Sequence, residues 1–394
     1  MVPLMDTGAI SGFLSTEVLD RLAVHRGGGG QGETSTVEAA FVFFDITGFT
    51  PLAEALAKRE GGVEELYQII SGIFGPIADT CLDAGGDVLY FAGDGVGVLF
   101  RVPDHATLSL TAQRAAHTAL QAVSLVGMKT AMGLELRVRA ALGCGEVRVA
   151  EVGGVNGRWI LVADGEAVAQ AAAADSLGAP GELTATPEAW SHLTSGFQSE
   201  TVAGMHRVRL GNHPTPKVTP AIRELPDDLV GPANQYLSEA LRHGLEAGTD
   251  AWLAELRLVT TVFVSLPDVR VGDDALQAAL VICQQEMLRT DGAVHEVLGD
   301  KGIGFLCVFG APPRSHGDDP GRAVEAAIRI QGSLTGIGLT SGIGVATGPV
   351  HCGIVGSARR RQYELYGASM ALAARFMQAT NGDGILVCER TREA

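Results

Sequence analysis

The run "FVFFDITGFT" (residues 41–50) carries an apolar strand signal into a carboxylate, Asp45. A small polar turn with a glycine follows, and then the pattern of a helix. A second carboxylate, Asp94, sits in the turn "AGDG" between two further strand signals. Each has a plain reading alone: a strand-end or capping residue for Asp45, a common hairpin turn for Asp94. Together, with a helix start between them, they favour a different chemistry. Two oxygen ligands on rigid strand ends suit Mg²⁺, which binds through one or two carboxylates plus substrate phosphates. The N–H groups and dipole at the start of the helix after Asp45 would attract those phosphates.

The elements that must position this pair are written twice. The first copy runs as a strand (39–45), a helix (50–59), a second helix (63–83), the hairpin "GGDVLYFAGDGVGVLF" (85–100) turning at Gly93-Asp94-Gly95, and a helix (106–127). Strands "LRVRAALGCGEVRVAEVGG" and "RWILVAD", an Ala-rich helix (166–177) and strand "GELTAT" complete it, and "HRVRLGN" reads as a further edge strand. The second copy repeats the order as "VTTVFVSL" (259–266), "GAVHEVLGDKGIGFLCVFG" (292–310), "GRAVEAAIRIQGSL" (321–334), "LTSGIGVATGPVHCGIVGS" (339–357), "YELYGASMALAARFMQA" and "GILVCERT". Two copies of one unit imply pairing of like folds. The order suits an α/β (α+β) architecture of two ferredoxin-like domains, each a mostly antiparallel sheet with helices on one face.

The expected divisions are an N-terminal helix and flexible joint (1–36), a first domain (37–212), a linker (213–255) with five prolines and a helical end, and a second domain (256–394). The joint "GGGGQG" follows no strand and opens no helix, so it is not a phosphate loop. The second copy stops at "CERTREA", short of a counterpart to "HRVRLGN". Either the chain was cut from a longer protein or this domain lacks its last strand.

A chain of 394 residues with 46% hydrophobic residues can bury substantial cores. Its net charge of −16 argues against generic binding of nucleic acid or anionic membrane. Six scattered cysteines, without a CxxC pair, read as small buried hydrophobes in a reducing compartment. No signal peptide or apolar span is visible, so the expected location is cytoplasmic.

"FFDITGFTPLAEAL … GGDVLYFAGDGV" closely resembles the first catalytic domain of class III nucleotidyl cyclases, and "GDKGIGFLCVFGAP" and "YELYGASMALAARFMQ" resemble the second. The resemblance is closest to the soluble adenylyl cyclase type, with two cyclase domains in tandem. It implies head-to-tail pairing within one chain, a monomer being sufficient, and further C-terminal domains in the full protein. It also implies that ATP, or alternatively GTP, is cyclised at the domain interface with release of pyrophosphate, using two Mg²⁺ or Mn²⁺ ions.

Carried over residue by residue, the resemblance gives the metals to Asp45, Asp94 and the Ile46 carbonyl. It gives the phosphate turn to Thr47, Gly48, Phe49 and Thr50. The second domain has Ser265 in place of Asp45 and keeps Asp300, so the first domain holds the ions. Arg375, in "MALAAR", takes the role of the catalytic arginine. The matching helix of the first domain has Ala172 and Ala173 there, and Tyr90 and alanine replace the bicarbonate-responsive pair of the family. One interface site is thus complete and its pseudo-symmetric twin is not. Purine selection falls to Glu296 (with His295 adjacent), Lys301 and Glu364. The family's ribose-orienting Asn is Ala371 here, which implies attenuated activity. The alternatives are a weak or inactive nucleotide-binding regulatory module, favoured by Ala371, and a guanylyl cyclase, favoured by Glu296. The cluster Arg359–Arg361 reads equally as a solvated loop or a triphosphate contact.

Overall fold

The computed structural model describes residues 10–25, 32–56, 58–129, 135–193, 196–211, 225–247, 255–299 and 302–394. Helix α1 (Thr16–Val24) precedes β1 (Thr34–Thr47), α2 (Phe49–Leu56), α3 (Gly62–Asp83), β2 (Asp87–Ala92), β3 (Gly95–Arg101) and α4 (Leu108–Leu125). Then come β4 (Gly127–Lys129), β5 (Glu135–Gly153), β6 (Trp159–Gly165), α5 (Glu166–Asp175), β7 (Leu183–Ala185), α6 (Pro187–Ser191), β8 (Phe197–Val202) and β9 (Met205–Leu210). Helix α7 (Glu239–Ala247) leads to β10 (Glu255–Leu266), α8 (Asp274–Arg289), β11 (Ala293–Leu298), β12 (Ile303–Phe309) and α9 (Asp319–Gly336). The chain continues as β13 (Gly342–Gly356), β14 (Arg361–Tyr366), α10 (Ala368–Ala379), β15 (Gly384–Val387) and α11 (Glu389–Glu393).

These strands form two sheets. One has the order β2-β3-β1-β5-β7-β9-β8, with β4 and β6 also on β5; the other has β11-β12-β10-β13-β14, with β15 on β13. Pairing is antiparallel except for β5–β7 and β13–β15. The two sheets share their central order, as the sequence repeat requires.

Strand β1 is buried on both faces, which is why its apolar run does not alternate. Ala40, Val42, Phe44 and Ile46 pack in one core with α3 and α4, while Ala39, Phe41 and Phe43 pack in another with Val147 and Val149. All six cysteines are buried and free. Among the described residues no helix is long and apolar enough to cross a membrane.

The two halves pair head to tail through reciprocal helix-on-strand contacts. From the first half, Tyr67 on α3 stacks on His351 of β13 at 4.2 Å between ring centroids, and its hydroxyl donates to the Ile354 carbonyl at 2.6 Å. From the second, Gln277 on α8 exchanges two hydrogen bonds with the Gly153 backbone at 2.8 and 2.9 Å. Gln284, two turns further along the same face, bonds Arg158 O and Val155 N–H at 3.0 and 3.2 Å.

Segments that read as joint and linker are partly built into this interface. The described part of "GGGGQG" is Gly32 alone; residues 27–31 lie outside the described residues. Ahead of it, the carboxylate of Asp87 accepts from the N–H groups of Thr16 (2.7 Å) and Glu17 (2.8 Å), capping α1 where its dipole favours negative charge. Phe13, Leu14, Val18 and Leu22 then pack with Leu229, Leu237 and Leu241 of the linker region against Val259, Leu306 and Val350 of the second sheet.

The basic cluster serves the same interface, which corrects both sequence readings of it. Arg359 bonds Asp83 at 2.6 Å, and the Arg361 guanidinium lies 4.3 Å from the Phe13 ring centroid. Arg360 is buried and donates across the interface to Val88 O (2.8 Å) and Leu89 O (2.9 Å). Burial pushes its pKa down to about 10, against the pull of Asp87 and Glu364, so it stays charged at neutral pH. Arg360→Met would leave these buried carbonyls unsatisfied, at about 1–3 kcal/mol each, partly offset by relief of a buried charge. The expected net loss is about 2–4 kcal/mol, read from urea unfolding of the purified variant.

Candidate active site at the interface

Register places the two acidic residues side by side. Asp45 pairs across β1 with Gly95 of β3 and Arg139 of β5. The N–H of the next residue, Ile46, donates to the Asp94 carbonyl at 3.0 Å, which ties the hairpin turn to the end of β1. Gly93 makes that turn at φ +58°, and a Cβ on Gly95 would stand 2.5 Å from the Phe43 ring. The close approach of hairpin and strand therefore depends on glycine.

A cation already faces the pair. Arg139 Nη2 lies 2.5 Å from Asp45 Oδ2, while its Nε lies 2.8 Å from Asp175 Oδ1. Burial would lower the pKa of Arg139, but the Asp175 hydrogen bond and the charges of Asp45, Asp175 and Asp94 outweigh it and raise it above the ordinary value. Arg139 was not singled out from sequence. In "LRVRAAL" it is indistinguishable from Arg137, which pairs with Glu135 at the surface; only the Asp45–Arg139 register tells them apart.

The donor set fits a hard divalent ion. Two carboxylates and the Ile46 carbonyl would offer oxygen donors on tied-down backbone, and the guanidinium shows that the place accommodates positive charge. Among the described residues, no group of three His, Cys, Asp or Glu side chains is arranged to hold a metal by itself, so substrate oxygens would have to complete the shell. Beyond Ile46, β1 ends at Thr47, Gly48 turns at φ +86°, and α2 begins at Phe49, so the candidate phosphate turn lies at a helix start. Thr47 Oγ1 is buried without a hydrogen-bond partner. The Thr50 side chain lies outside the described residues.

Arg375 reaches the same helix from the other half. Its Nη2 lies 3.0 Å from Glu54 Oε1 on α2, with both side chains 53% exposed. Glu54 stands about 8 Å of helical rise beyond Phe49. Helix α10, which carries Arg375, is seated on β13 at Gly344, where a Cβ would fall 2.0 Å from Ala373 O and 2.4 Å from Met377 N. Gly344→Ala is expected to push α10 off the sheet, cost about 2–3 kcal/mol in denaturant unfolding, and lower turnover by displacing Arg375.

The purine candidates cluster behind Asp94, with one change of emphasis. Glu364 on β14 is 1% exposed and accepts from Gln362 Nε2 at 2.5 Å. Gln362 also brackets the Phe91 backbone of the other half, at 2.9 and 3.3 Å. The residue paired with the Glu364 carboxylate is His295, with Nε2 3.7 Å from Oε2. A register shift in β11 between Val294 and Glu296 sets His295 apart from its neighbours. Glu296 is buried beside it. Lys301 and Asp300 lie outside the described residues. Tyr366, which carried no sequence signal, is buried within electrostatic reach of this group. Burial raises its pKa well above the ordinary value, reinforced by the charges of Glu364, Glu296 and Asp94.

Residues 299–394 match the family of adenylate and guanylate cyclase catalytic domains. Adenylate cyclase type 10 of Mus musculus is 28% identical, the match covering 89% of this chain and 24% of that protein. The Homo sapiens protein of the same name is 27% identical over the same shares. A class III adenylyl cyclase-like ATP-binding protein from Pseudomonas aeruginosa superposes with a TM-score of 0.62 over 96% of this chain and 92% of that one. The second half thus carries a match to the cyclase catalytic domains, and the chain as a whole resembles the class III nucleotidyl cyclases. Its identity to the Pseudomonas protein is 12%, so that likeness speaks for the fold: two cyclase-like domains paired in one chain. The chain spans about a quarter of the length of the curated cyclases it matches.

Proposed function

We propose that the chain is a metal-dependent nucleotidyl cyclase that converts ATP to cyclic AMP and pyrophosphate at the interface of its two cyclase domains. One observation carries this reading. The acidic pair stands beside the start of α2 on one half, and Arg375 from the other half reaches that same helix, bonded to Glu54. At the twin position the second half has Ser265 for Asp45, opposite Gly342 rather than an arginine. The sheet geometry is repeated but the charges are not, so a single interface site is equipped.

In this reading Asp45, Asp94 and the Ile46 carbonyl would hold Mg²⁺ or Mn²⁺, two ions in a complete site. A bound ion there supplies Lewis-acid stabilisation of phosphoryl oxygens and lowers the pKa of the attacking hydroxyl. The backbone N–H groups from Gly48 into α2 face the phosphates, and Arg139 adds a cation beside the same turn. Arg375 neutralises charge that develops on the phosphoryl group as the 3′-hydroxyl attacks. Glu364 accepts from the adenine amino group, with the Gln362 hydrogen bond fixing its carboxylate and His295 beside it. Support for a soluble adenylyl cyclase type of activity comes from the sequence relatives along most of the chain.

The test is chromatographic product analysis with ATP and GTP supplied separately, each with Mg²⁺ or Mn²⁺. Cyclic AMP as the main product is the expected result. Cyclic GMP would transfer purine choice to Glu296 and His295. A folded chain that binds nucleotide and forms neither product would favour the second reading, a regulatory nucleotide-binding module, for which Ala371 in place of the ribose-orienting Asn is the specific observation.

A further inference from the structure

Asp175 is the least expected charge near the site. It occupies the last position of α5, where the helix dipole disfavours a carboxylate, and its side chain is 2% exposed. Arg139 satisfies it with two bonds, Nε to Oδ1 at 2.8 Å and Nη2 to Oδ2 at 3.3 Å, while the same Nη2 reaches Asp45. A bidentate fork fixes the plane of a guanidinium as a single contact cannot.

The internal repeat gives an independent view of the same set. Helices α5 and α10 both start after a glycine cap, Gly165 and Gly367, so Asp175 and Met377 occupy equivalent places. Asp45 opposite Arg139 corresponds to Ser265 opposite Gly342. The half with a candidate metal carboxylate carries Asp45, Arg139 and Asp175 together, and the half without it carries Ser265, Gly342 and Met377. A carboxylate needed only to hold α5 against its sheet has no reason to disappear with the metal site.

We propose that Asp175 is a positioning residue of the metal–phosphate site, holding Arg139 so that its guanidinium balances Asp45 without being captured by it. This rests on the metal-binding reading above. With Asp175 in place, Arg139 is shared between two carboxylates, and an incoming cation displaces only the Asp45 side. The guanidinium then stays beside the phosphate turn. With Asp175 neutralised, Asp45 becomes the stronger partner, and a cation must compete with a guanidinium held there.

The experiment compares the whole wild-type chain, Asp175→Asn, and the double variant Arg139→Gln/Asp175→Asn. The double variant removes the buried carboxylate and its partly exposed guanidinium partner together and so avoids leaving Asp175 unpaired. Mn²⁺ binding without nucleotide is read from the paramagnetic signal of the free ion, beside KM and kcat. Asp175→Asn is expected to weaken Mn²⁺ binding three- to tenfold and raise KM by a similar factor, with kcat changed less than twofold. The double variant is expected to bind Mn²⁺ at least threefold more tightly than Asp175→Asn, while KM stays high because the phosphate contact is gone. A purely structural role would move both properties the same way in both variants. Wild-type Mn²⁺ affinity and KM in folded Asp175→Asn, or Mn²⁺ binding no tighter in the double variant, would overturn the proposal. A wild-type chain that binds Mn²⁺ with this pattern but makes no cyclic nucleotide removes the enzymatic reading and leaves the positioning role standing. Absence of Mn²⁺ binding by the wild type overturns both.

Discussion

Asp45→Asn is expected to lower cyclase turnover at least a thousandfold, about 4 kcal/mol of transition-state stabilisation. The exchange keeps the shape of the side chain and removes the charge that would hold a divalent ion. Protein stability should change far less. Arg139 loses one carboxylate but keeps its two bonds to Asp175. The buried strand that carries Asp45 keeps every apolar neighbour. A cost of about 1–2 kcal/mol in urea unfolding is the expected size for one charged hydrogen bond lost while its partner stays satisfied. Turnover and Mn²⁺ binding measured on one preparation decide the matter. Wild-type values for both would remove Asp45 from the site, and loss of folding in step with activity would make its role structural.

That Asp45 can be argued in this detail reflects what a sequence records well. A strand buried on both faces leaves an unbroken apolar run, so the polar residue at its end stands out. The repeat was legible for a related reason, since each copy must build the same layered core and so repeats the same periodicities. Helices expected at 63–83 and 106–127 form at Gly62–Asp83 and Leu108–Leu125. Their apolar faces span several turns, and frayed ends shift only a residue or two.

Residues whose meaning comes from register were not legible. Arg139 and Arg137 share a strand face, and only one meets a carboxylate across the sheet. His295 rather than Glu296 pairs with Glu364 because β11 shifts register there, and no local residue type announces the shift. Arg360 reads from sequence as part of a solvated basic loop or a triphosphate contact, because nothing nearby in sequence needs a cation. Its acceptors are carbonyls more than 270 positions away. Long-range pairing of short polar segments is where composition and periodicity say least.

The second large effect concerns a residue that is equally quiet in the folded chain. Arg375 and Glu54 are each half exposed, and an exposed ion pair of this kind contributes 0–1 kcal/mol. Arg375→Ala should therefore leave the unfolding midpoint nearly unchanged. Turnover is another matter. A cation aimed at charge that appears only as the phosphoryl group reacts contributes little to substrate binding and much to the barrier. Loss of one such group lowers kcat by about a hundred- to a thousandfold, about 2.7–4 kcal/mol. KM should move by less than threefold. Arg375→Lys should recover only part of the loss, because a point charge does not reproduce a two-pronged contact. Steady-state kinetics on the three proteins separate the possibilities. A raised KM at constant kcat would make Arg375 a ground-state phosphate contact. Unchanged kinetics would leave it as the surface partner of Glu54, and the complementary division of charges between the two halves would then need another explanation.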